Sequence, residues 1–486
     1  MPHETTTADP KAAALLQGPT APDPATHARW TEGQRRGRLM EGLWKRDLVQ
    51  AAIKLLGRVR AKAVGPFDTT KNLTRSLVNQ IAVLYDRAPL VQHADPMAVE
   101  FMNQQLEQAG MWQMAISMQQ TVLVQRESAY RFDVPESNLL VRIVPQYLLW
   151  AESSPDNPDV PVTIHEYRIR TTKEGKEIWT RDVLSIVDPA SPVYRVESVD
   201  GKTDLSGEFL EGSLSGDAYP YRFSDGTPFL PFVLYHATRT GKLWDPFRFV
   251  ELIDGTVVVA VLWSFWQHLM MDASWPQRWG MNVKVPGLKA DGETASVVTD
   301  PASILLFEQA NPAQPGSLGQ FQPGGDPQSM GESIRDYSAD LAGEFDLSPA
   351  DIQRTHTDAR SGHAIEISRE GQRAAQRRFE PQFKRGDVQS LSVIAALLNR
   401  ARSLQLPESD WGIKYRGLPL GMEERKQLME EHKMRAELGV TSKPRLLAQL
   451  EGMTLDQARE TLREIAADNA EFDTQPPTTP DPSESE

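Results

Sequence analysis

The sequence predicts a mostly helical α+β protein, and three observations lead to that prediction. Long stretches with apolar residues every three or four positions flank a central block of short β-type segments, as expected for helices segregated from an antiparallel sheet. The chain has 486 residues and is 40% hydrophobic, which is enough for a substantial core. Segments rich in proline, without periodicity, at residues 1–28 and 471–486 are predicted to be disordered.

The N-terminal region is predicted to be helical, because apolar residues recur at helical spacing in three stretches. The first stretch covers residues 30–64 and the second covers 72–85. The third covers 95–125, with Asp95 at the N-cap and Pro96 at the first helical position, where both residue types are favoured.

Residues 129–240 are predicted to form an antiparallel sheet laid on these helices. Short runs of β-branched and aromatic residues alternate with turn residues, and TTKEGKE at 171–177 has the composition of a hairpin loop. The run at 228–237 is predicted to be a buried strand. The other predicted strands are 130–134, 139–144, 162–170, 178–186 and 193–199.

Helical periodicity returns in the second half of the chain. The predicted helices cover 246–271, 326–345, 361–404 and 421–468, and Pro381 is expected to kink the third of them. The first contains GTVVVAVLWSFW, an apolar run shorter than the roughly 20 residues that a membrane span requires. Because this run is apolar nearly all round, it is expected to be buried on more than one side.

The net charge and the lack of cysteine exclude several functional classes. The formal charge of −14 disfavours tight non-specific binding of DNA, because such binding needs many cations to replace phosphate counterions. Contact with DNA is therefore expected to be local or transient. Without cysteine the chain has no disulfide, thiolate zinc site or cysteine nucleophile. The N-terminus lacks the order of a signal peptide, so secretion by that route is not expected.

The segment QRTHTDARSGH, residues 353–363, contains residue types that ligate metals or act in hydrolysis. His356, Asp358 and His363 are suitable ligands for zinc or iron, but their spacing does not place them on one face. Ser361 lacks the G-x-S-x-G context of an exposed nucleophile, and the chain has no phosphate-binding P-loop. The sequence therefore favours a loop entering a helix and predicts neither catalytic residues nor a metal or cofactor. A metal-dependent hydrolase using those three residues stays the alternative.

Basic residues outnumber acidic ones between 351 and 402, although the whole chain is acidic. One interpretation is a solvated helix with ion pairs at i,i+4, in which Arg373 and Arg377 contribute to an interface between subunits. The other is that Arg354 and Arg360 contact DNA phosphates as the DNA passes. The sequence leaves both interpretations open.

Aromatic residues and methionine cluster in and just after the apolar run. Trp263, Phe265, Trp266 and Met270 are predicted to lie in a subunit interface, because interfaces are enriched in these residue types. Burial of the same side chains within one subunit is the alternative.

The order of these elements resembles that of the portal (head-to-tail connector) proteins of tailed bacteriophages, and three stretches carry the resemblance. KNLTRSLVNQIAVLYDRAPLV at 71–91 looks like the early portal helix. Residues 346–385 look like the family's tunnel loop followed by a Ser-Gly-x-Ala-Ile start to a long helix. Residues 439–468 resemble the family's acidic helical ending. The resemblance in the order of elements extends over residues 30–470.

The resemblance implies a structural channel without enzymatic activity: a ring, usually of twelve subunits, at one vertex of the capsid. Double-stranded DNA would be packaged through it by a terminase motor and later ejected. The implied partners are further copies of the chain, the major capsid and scaffolding proteins, the large terminase subunit, the head-tail adaptor and DNA, with no membrane. The implied location is the virion, after assembly in the host cytoplasm. A minor capsid protein without a channel is the alternative.

The resemblance also implies an elongated, multi-lobed subunit whose lobes follow one another along the chain. The net negative charge of the chain suits a channel through which DNA must slide, because a strongly basic channel lining would bind the DNA phosphates. The implied lobes are the wing at 29–246, the first stem helix at 247–275, the clip at 276–326, the second stem helix at 327–346, the tunnel loop at 347–360, the long kinked helix at 361–404 and the crown at 405–470.

Two groups of candidate residues follow from this mapping. The clip, which would contact the motor and the adaptor, contains Trp279, Lys284 and Lys289. The tunnel loop, which would face DNA in the channel, contains Gln353, Arg354, Thr355, His356 and Arg360.

Overall fold

The computed structural model describes residues 19, 21–244, 250–274, 278–284, 308–309, 311, 313–320, 326–343, 362–417, 422–439, 441–451 and 455–474. In this part of the chain helices and strands are both abundant, so the predicted α+β class is confirmed. Every strand pair in the described residues is antiparallel.

The described residues of the N-terminal region form six helices where the sequence predicted three. Gly42 and Gly57, with φ of 82° and 78°, end the first two helices, because glycine enters this region of φ without steric cost. Gly110, with φ of 64°, likewise divides the predicted helix at 95–125. The helices are α1 (Pro24–Glu41), α2 (Lys45–Leu56), α3 (Arg58–Val64), α4 (Leu73–Ile81), α5 (Pro96–Gln108) and α6 (Met111–Gln125).

Side-chain caps fix the starts of several helices. Asp95 accepts hydrogen bonds from the backbone N–H groups at the start of α5, which confirms the predicted cap. Asp23 caps α1 through the backbone N–H of Thr26 at 2.9 Å. The predicted disordered arm at 1–28 is therefore too long, because this capped helix begins at Pro24.

The central block forms two antiparallel sheets instead of the single sheet that was predicted. The strands are β2 (Glu127–Asp133), β3 (Leu140–Pro145), β4 (Leu149–Ser153), β5 (Pro161–Thr171), β6 (Glu177–Ser185), β7 (Val193–Ser198), β8 (Leu214–Ser215) and β9 (Phe232–His236), and α7 (Ser206–Phe209) lies between β7 and β8. One sheet has the strand order β3-β2-β9 and the other the order β4-β5-β6-β7-β8. The short strands β4 and β8 were not predicted.

The three-stranded sheet separates two apolar cores. Successive side chains of a strand point to opposite faces. On β2, Tyr130 and Phe132 therefore pack into the core shared with the helices. Ala129 and, on β9, Phe232 pack into the core shared with the five-stranded sheet.

The second half of the chain begins with two long helices, α8 (Val250–Ser274) and α9 (Pro327–Gly343). Between them lie β10 (Arg278–Met281), β11 (Val283–Lys284), β12 (Glu308–Gln309) and β13 (Ser317–Gln320). Asp326 caps α9, since its carboxylate accepts from the N–H groups of Gln328 and Ser329.

The helix α10 (Gly362–Arg402) extends over 41 residues and continues through Pro381. Strand β14 (Gly412–Lys414) then pairs with β1 (Leu90–Gln92), which joins the C-terminal region to the N-terminal helices. The last helices are α11 (Met422–Glu437), α12 (Lys443–Glu451) and α13 (Leu455–Thr474). Because α13 ends at Thr474, it includes residues 471–474 of the predicted disordered tail.

The apolar run in α8 is part of a longer apolar stretch than the sequence indicated. Within the described residues, Leu252–Met271 is the one stretch whose length and composition would allow it to cross a membrane, and half of that stretch is buried inside the protein. Helices α2, α3, α4 and α9 contact α8, so much of its apolar surface is covered by other parts of the same chain.

Candidate subunit interface and the contacts that position it

Helices α8 and α9 pack against each other in antiparallel orientation. Near the start of α8, Gly255 lies so close to Leu341, near the end of α9, that a Cβ there would be 2.6 Å from Leu341 Cδ1. Farther along α8, the Nε1 of Trp266 donates a hydrogen bond of 2.8 Å to the carbonyl oxygen of Pro327, the first residue of α9. The start of α8 therefore lies beside the end of α9, and the later part of α8 lies beside the start of α9.

Polar contacts attach α8 to the N-terminal helices and fix its rotation. The hydroxyl groups of Thr256 and Thr74 are 2.7 Å apart and buried, and Thr256 also accepts from the backbone N–H of Thr74 at 3.0 Å. Ser264 accepts from the backbone N–H of Asp68 at 2.9 Å. Because buried hydroxyl groups require such partners, these contacts determine which face of α8 turns inward.

The four interface candidates on α8 are distributed between the core and the surface. Trp263, Phe265 and Trp266 are half-buried and pack on the helical core, and the two tryptophan rings meet edge to face at 5.2 Å. Met270 is 40% exposed, and the adjacent Met271 is 63% exposed. The aromatic side chains are therefore covered in part by their own chain, whereas the methionines extend the apolar surface outward.

The two strand pairs that follow α8 are nested. Strand β10 pairs with β13, and inside that pair β11 pairs with β12. Asn282 lies between β10 and β11, and its side-chain amide donates 3.0 Å to the carbonyl of Asn311 while its Oδ1 accepts 2.8 Å from the N–H of that residue. These contacts hold the segment that precedes β13 against the junction of β10 and β11.

Most of the other candidates lie outside the described side chains. Trp279 is on β10 and Lys284 on β11, but only their backbone is described, and Lys289 is outside the described residues. All five tunnel-loop candidates, Gln353, Arg354, Thr355, His356 and Arg360, are also outside them, as are Asp358 and the side chain of His363. In the part of the chain that the structure describes, no group of three His, Asp or Glu is arranged to hold a metal ion.

The arginine candidates on α10 lie on its outer side. Arg377 is exposed and Arg373 is half-buried, whereas Ala375 and Phe379, between and beyond them, are buried. The inner side of α10 thus faces the core of its own chain, and the arginines face away from it.

A buried carboxylate connects α10 to the rest of the chain. Asp387 is 1% exposed and accepts hydrogen bonds from the hydroxyl groups of Tyr235 at 2.7 Å, Tyr85 at 2.8 Å and Tyr415. Tyr235 is on β9, Tyr85 follows α4 and Tyr415 follows β14. Burial raises the pKa of Asp387 to about 6, and the three hydrogen bonds oppose that rise.

The residue before Asp387 is a glycine for a steric reason. A Cβ on Gly386 would be 2.6 Å from Cε1 of the Tyr235 ring, closer than two carbon atoms can approach. The tyrosine ring is fully buried, and its hydroxyl is held by Asp387. Gly386 therefore allows α10 to approach β9 closely enough for the hydrogen bond between Tyr235 and Asp387.

An ionic cluster joins the two sheets. Arg131 on β2 is opposite Arg142 on β3, and Glu166 on β5 is opposite Asp182 on β6. Each of these pairs of like charges is unfavourable within its own sheet. The guanidinium of Arg131 contacts Glu166 and donates 2.8 Å to Asp182, so the two pairs neutralise each other across the interface between the sheets.

Neither the tyrosine–aspartate cluster nor the arginine–carboxylate cluster was predicted from the sequence. The partners of Asp387 are as far as 302 residues away in the chain, so no local spacing could indicate them. The one local signal of the second cluster is in β5, where Glu166, Arg168 and Arg170 occupy alternate positions and so share one face of the strand.

No family model matches the sequence, and no curated protein matches it. The chain is similar to a chain in the solved structure "Virion of native gene transfer agent (GTA) particle", at 10% identity and a TM-score of 0.41, over 91% of this chain and 98% of that one. It is also similar to a chain in "Neck of native GTA particle computed with C12 symmetry", at 13% identity and a TM-score of 0.41, over 82% of this chain and 99% of that one.

Proposed function

We propose that this protein is the subunit of a portal ring, a structural channel at one capsid vertex through which double-stranded DNA is packaged and later ejected. The observation that carries the proposal is the antiparallel pair of α8 and α9 with the nested strand pairs between them. A helix pair that ends in a small strand module is the arrangement expected of a stem and a clip.

The surface of α8 supports assembly through this pair. Met270 and Met271 are exposed beside half-buried tryptophans, and exposed apolar patches of this kind are typical of protein–protein interfaces. In the proposed ring, α8 and α9 of one subunit pack against those of the next. Arg373 and Arg377, on the outer side of α10, contribute to the same interface.

The remaining parts of the chain have the roles that the resemblance implies. Strands β10–β13 form the clip, and Trp279, Lys284 and Lys289 contact the terminase motor and then the adaptor. The tunnel loop at 347–360 faces the DNA, with Gln353, Arg354, Thr355, His356 and Arg360 as its candidates for transient contact. The two sheets and α1–α6 form the wing, and residues 405–470 form the crown.

Assembly is tested with a charged substitution on the proposed interface. Met270→Glu places a carboxylate in an apolar contact, where an unpaired charge is strongly unfavourable. Native mass spectrometry of the wild type is expected to show a large ring, and the variant is expected to remain monomeric with unchanged circular dichroism.

The matched control is Met97→Glu, because Met97 is 81% exposed on α5, outside the proposed interface. This control is expected to form rings like the wild type. If the two variants assembled equally well, α8 would not be part of the interface. A wild type that is monomeric at every concentration would contradict the ring itself.

A further inference from the structure

A pocket of about 840 Å³ opens beside the ionic cluster of the two sheets. Strands β2, β3 and β5 form its floor, and the end of α10 forms one wall. Five arginines line it: Arg131, Arg142, Arg168, Arg170 and Arg400. A pocket of this size lies within the range that holds a small ligand or a few side chains of a peptide.

The pocket carries an excess of positive charge. Three carboxylates, those of Asp133, Glu166 and Asp182, contact four of the five arginines, so the arginines carry two more charges than these carboxylates neutralise. The excess is opposite in sign to the net charge of −14 of the whole chain. It is therefore a local feature of this pocket.

Two of the arginines retain their donors for a ligand. Within the described residues the guanidinium of Arg168 makes no hydrogen bond, and its nearest carboxylate oxygen, on Asp182, is 3.9 Å away. Arg400 is exposed and has no ion pair among the same residues. Burial lowers the pKa of Arg168 most strongly, the nearby carboxylate of Asp182 opposes that shift, and the guanidinium groups of Arg170 and Arg131 add to it.

A third donor is already oriented and buried. The Nη2 of Arg170 donates to both oxygens of Asp182, at 2.8 and 2.7 Å, which fixes the plane of its guanidinium. Its Nε is buried and has no hydrogen-bond partner in the described part of the chain. A buried donor without a partner costs free energy, and a bound acceptor would recover it.

The other side of the pocket is apolar. Leu140 and Ile169 are 44% and 43% exposed although they line a concave surface, and Phe209, Leu210 and Leu397 continue that surface. A ligand that fills the pocket therefore needs an apolar part as well as negative charge.

We propose that this pocket binds an acidic peptide segment of a partner protein. Its carboxylates pair with Arg168 and Arg400, because planar guanidinium groups bind carboxylates in bidentate geometry. An adjacent aliphatic or aromatic side chain packs on Leu140 and Ile169. A DNA duplex fits less well, because phosphates offer nothing to the apolar wall and the net charge of −14 of the whole chain disfavours a long polyanion.

Fluorescence anisotropy with the purified full chain tests this proposal. The probe is a labelled synthetic peptide in which glutamates flank a Leu-Phe pair, and the control peptide has glutamines in place of the glutamates. The first is expected to bind and the second is not. Arg168→Gln with Arg400→Gln is expected to weaken binding about tenfold or more, because two charge-assisted pairs are lost.

The matched control is Arg58→Gln with Arg60→Gln, which changes the net charge equally at two exposed positions of α3. This control is expected to change the affinity less than about twofold, since only screened long-range attraction is lost. Arg168→Lys with Arg400→Lys keeps the charge but loses the bidentate geometry, and its affinity is expected to lie between those of the wild type and the glutamine variant.

Three results would overturn the proposal: no binding of the acidic peptide by the wild type, equal weakening by both glutamine variants, or a DNA duplex or inorganic phosphate that displaces the peptide from the pocket at lower concentration than the unlabelled peptide does. The assay needs only the folded chain. Its failure would therefore leave the channel proposal unaffected, and the absence of rings would leave the peptide site unaffected.

Discussion

The hydroxyl of Tyr235 donates a hydrogen bond of 2.7 Å to Oδ1 of Asp387, a buried carboxylate on the longest helix of the protein. Tyr235 is on β9, and it is 152 residues away from Asp387 in the chain. With Tyr85 and Tyr415 as further donors, this cluster joins α10 to the three-stranded sheet and to the segments that follow α4 and β14. We therefore expect the position of α10 to depend on the charge of one carboxyl group.

Asp387→Asn is expected to change how stability depends on pH. Burial raises the folded-state pKa of Asp387 to about 6 from an unfolded value of 3.8, so this group favours the folded state below pH 3.8 and loses that contribution as the pH rises through 6. Between pH 4 and pH 7 the wild type should lose about 2 kcal/mol of unfolding free energy relative to the variant. Urea unfolding at both pH values measures the difference.

The control for this experiment is Asp156→Asn, because Asp156 is exposed. Its stability difference from the wild type is expected to be nearly independent of pH. If the difference for Asp387→Asn were equally independent of pH, the carboxyl group would not be buried as described.

Gly386→Ala is expected to destabilise the protein by about 1–3 kcal/mol, because the new Cβ would overlap the buried ring of Tyr235. Gly343→Ala, on α9, is the matched control, since nothing lies within 4 Å of its Cβ position. There the substitution should be neutral or should stabilise the helix by up to about 1 kcal/mol. Thermal and urea unfolding of both variants compare them, and an equal effect would contradict the close approach of α10 to β9.

Asp182→Asn is expected to destabilise the chain by about 3 kcal/mol, because Arg131 and Arg170 would lose a buried partner. Burial alone would raise the pKa of Asp182, but the neighbouring arginines outweigh it and lower the pKa. Its contribution to stability is thus present above pH 3.8 and is lost as the pH falls below that value. Urea unfolding at pH 7 is expected to show the full loss, and a change below about 0.5 kcal/mol would show that the cluster is solvated.

The sequence predicted helices and strands well where the spacing of apolar residues followed a single helical or strand period. Asp95 caps its helix as expected, and the strands predicted at 162–170 and 178–186 correspond to β5 and β6. The N-terminal helices that were predicted too long are divided at single glycines. Gly42, Gly57 and Gly110 interrupt patterns whose apolar period continues across them, so periodicity alone gave helices that were too long.

The clusters could not be predicted because their residues are distant in sequence. In the sequence, Asp387 is one acidic residue of a predicted helix that carries many charges. Only the fold brings three tyrosines from separate segments to its carboxylate. Arg131 likewise shares no local motif with Glu166 or Asp182. The two-sheet arrangement was missed for a related reason, since strand order depends on contacts between distant segments.

The tunnel-loop prediction concerns Arg354 and Arg360. Replacing both with alanine is expected to leave ring assembly unchanged while reducing the packaging or retention of DNA, because transient phosphate contacts would be lost. The yield of DNA-filled heads measures the effect, and the stability of the purified ring controls for folding. Normal yields of filled heads would reject contact between these arginines and DNA.

Negative-stain electron microscopy of the purified wild-type chain tests the portal assignment most directly. The proposed function predicts closed rings with a central channel wide enough for a DNA duplex. Class averages that show such rings would agree with the account. Fields that contain only monomers or dimers, at every protein and salt concentration, would contradict it.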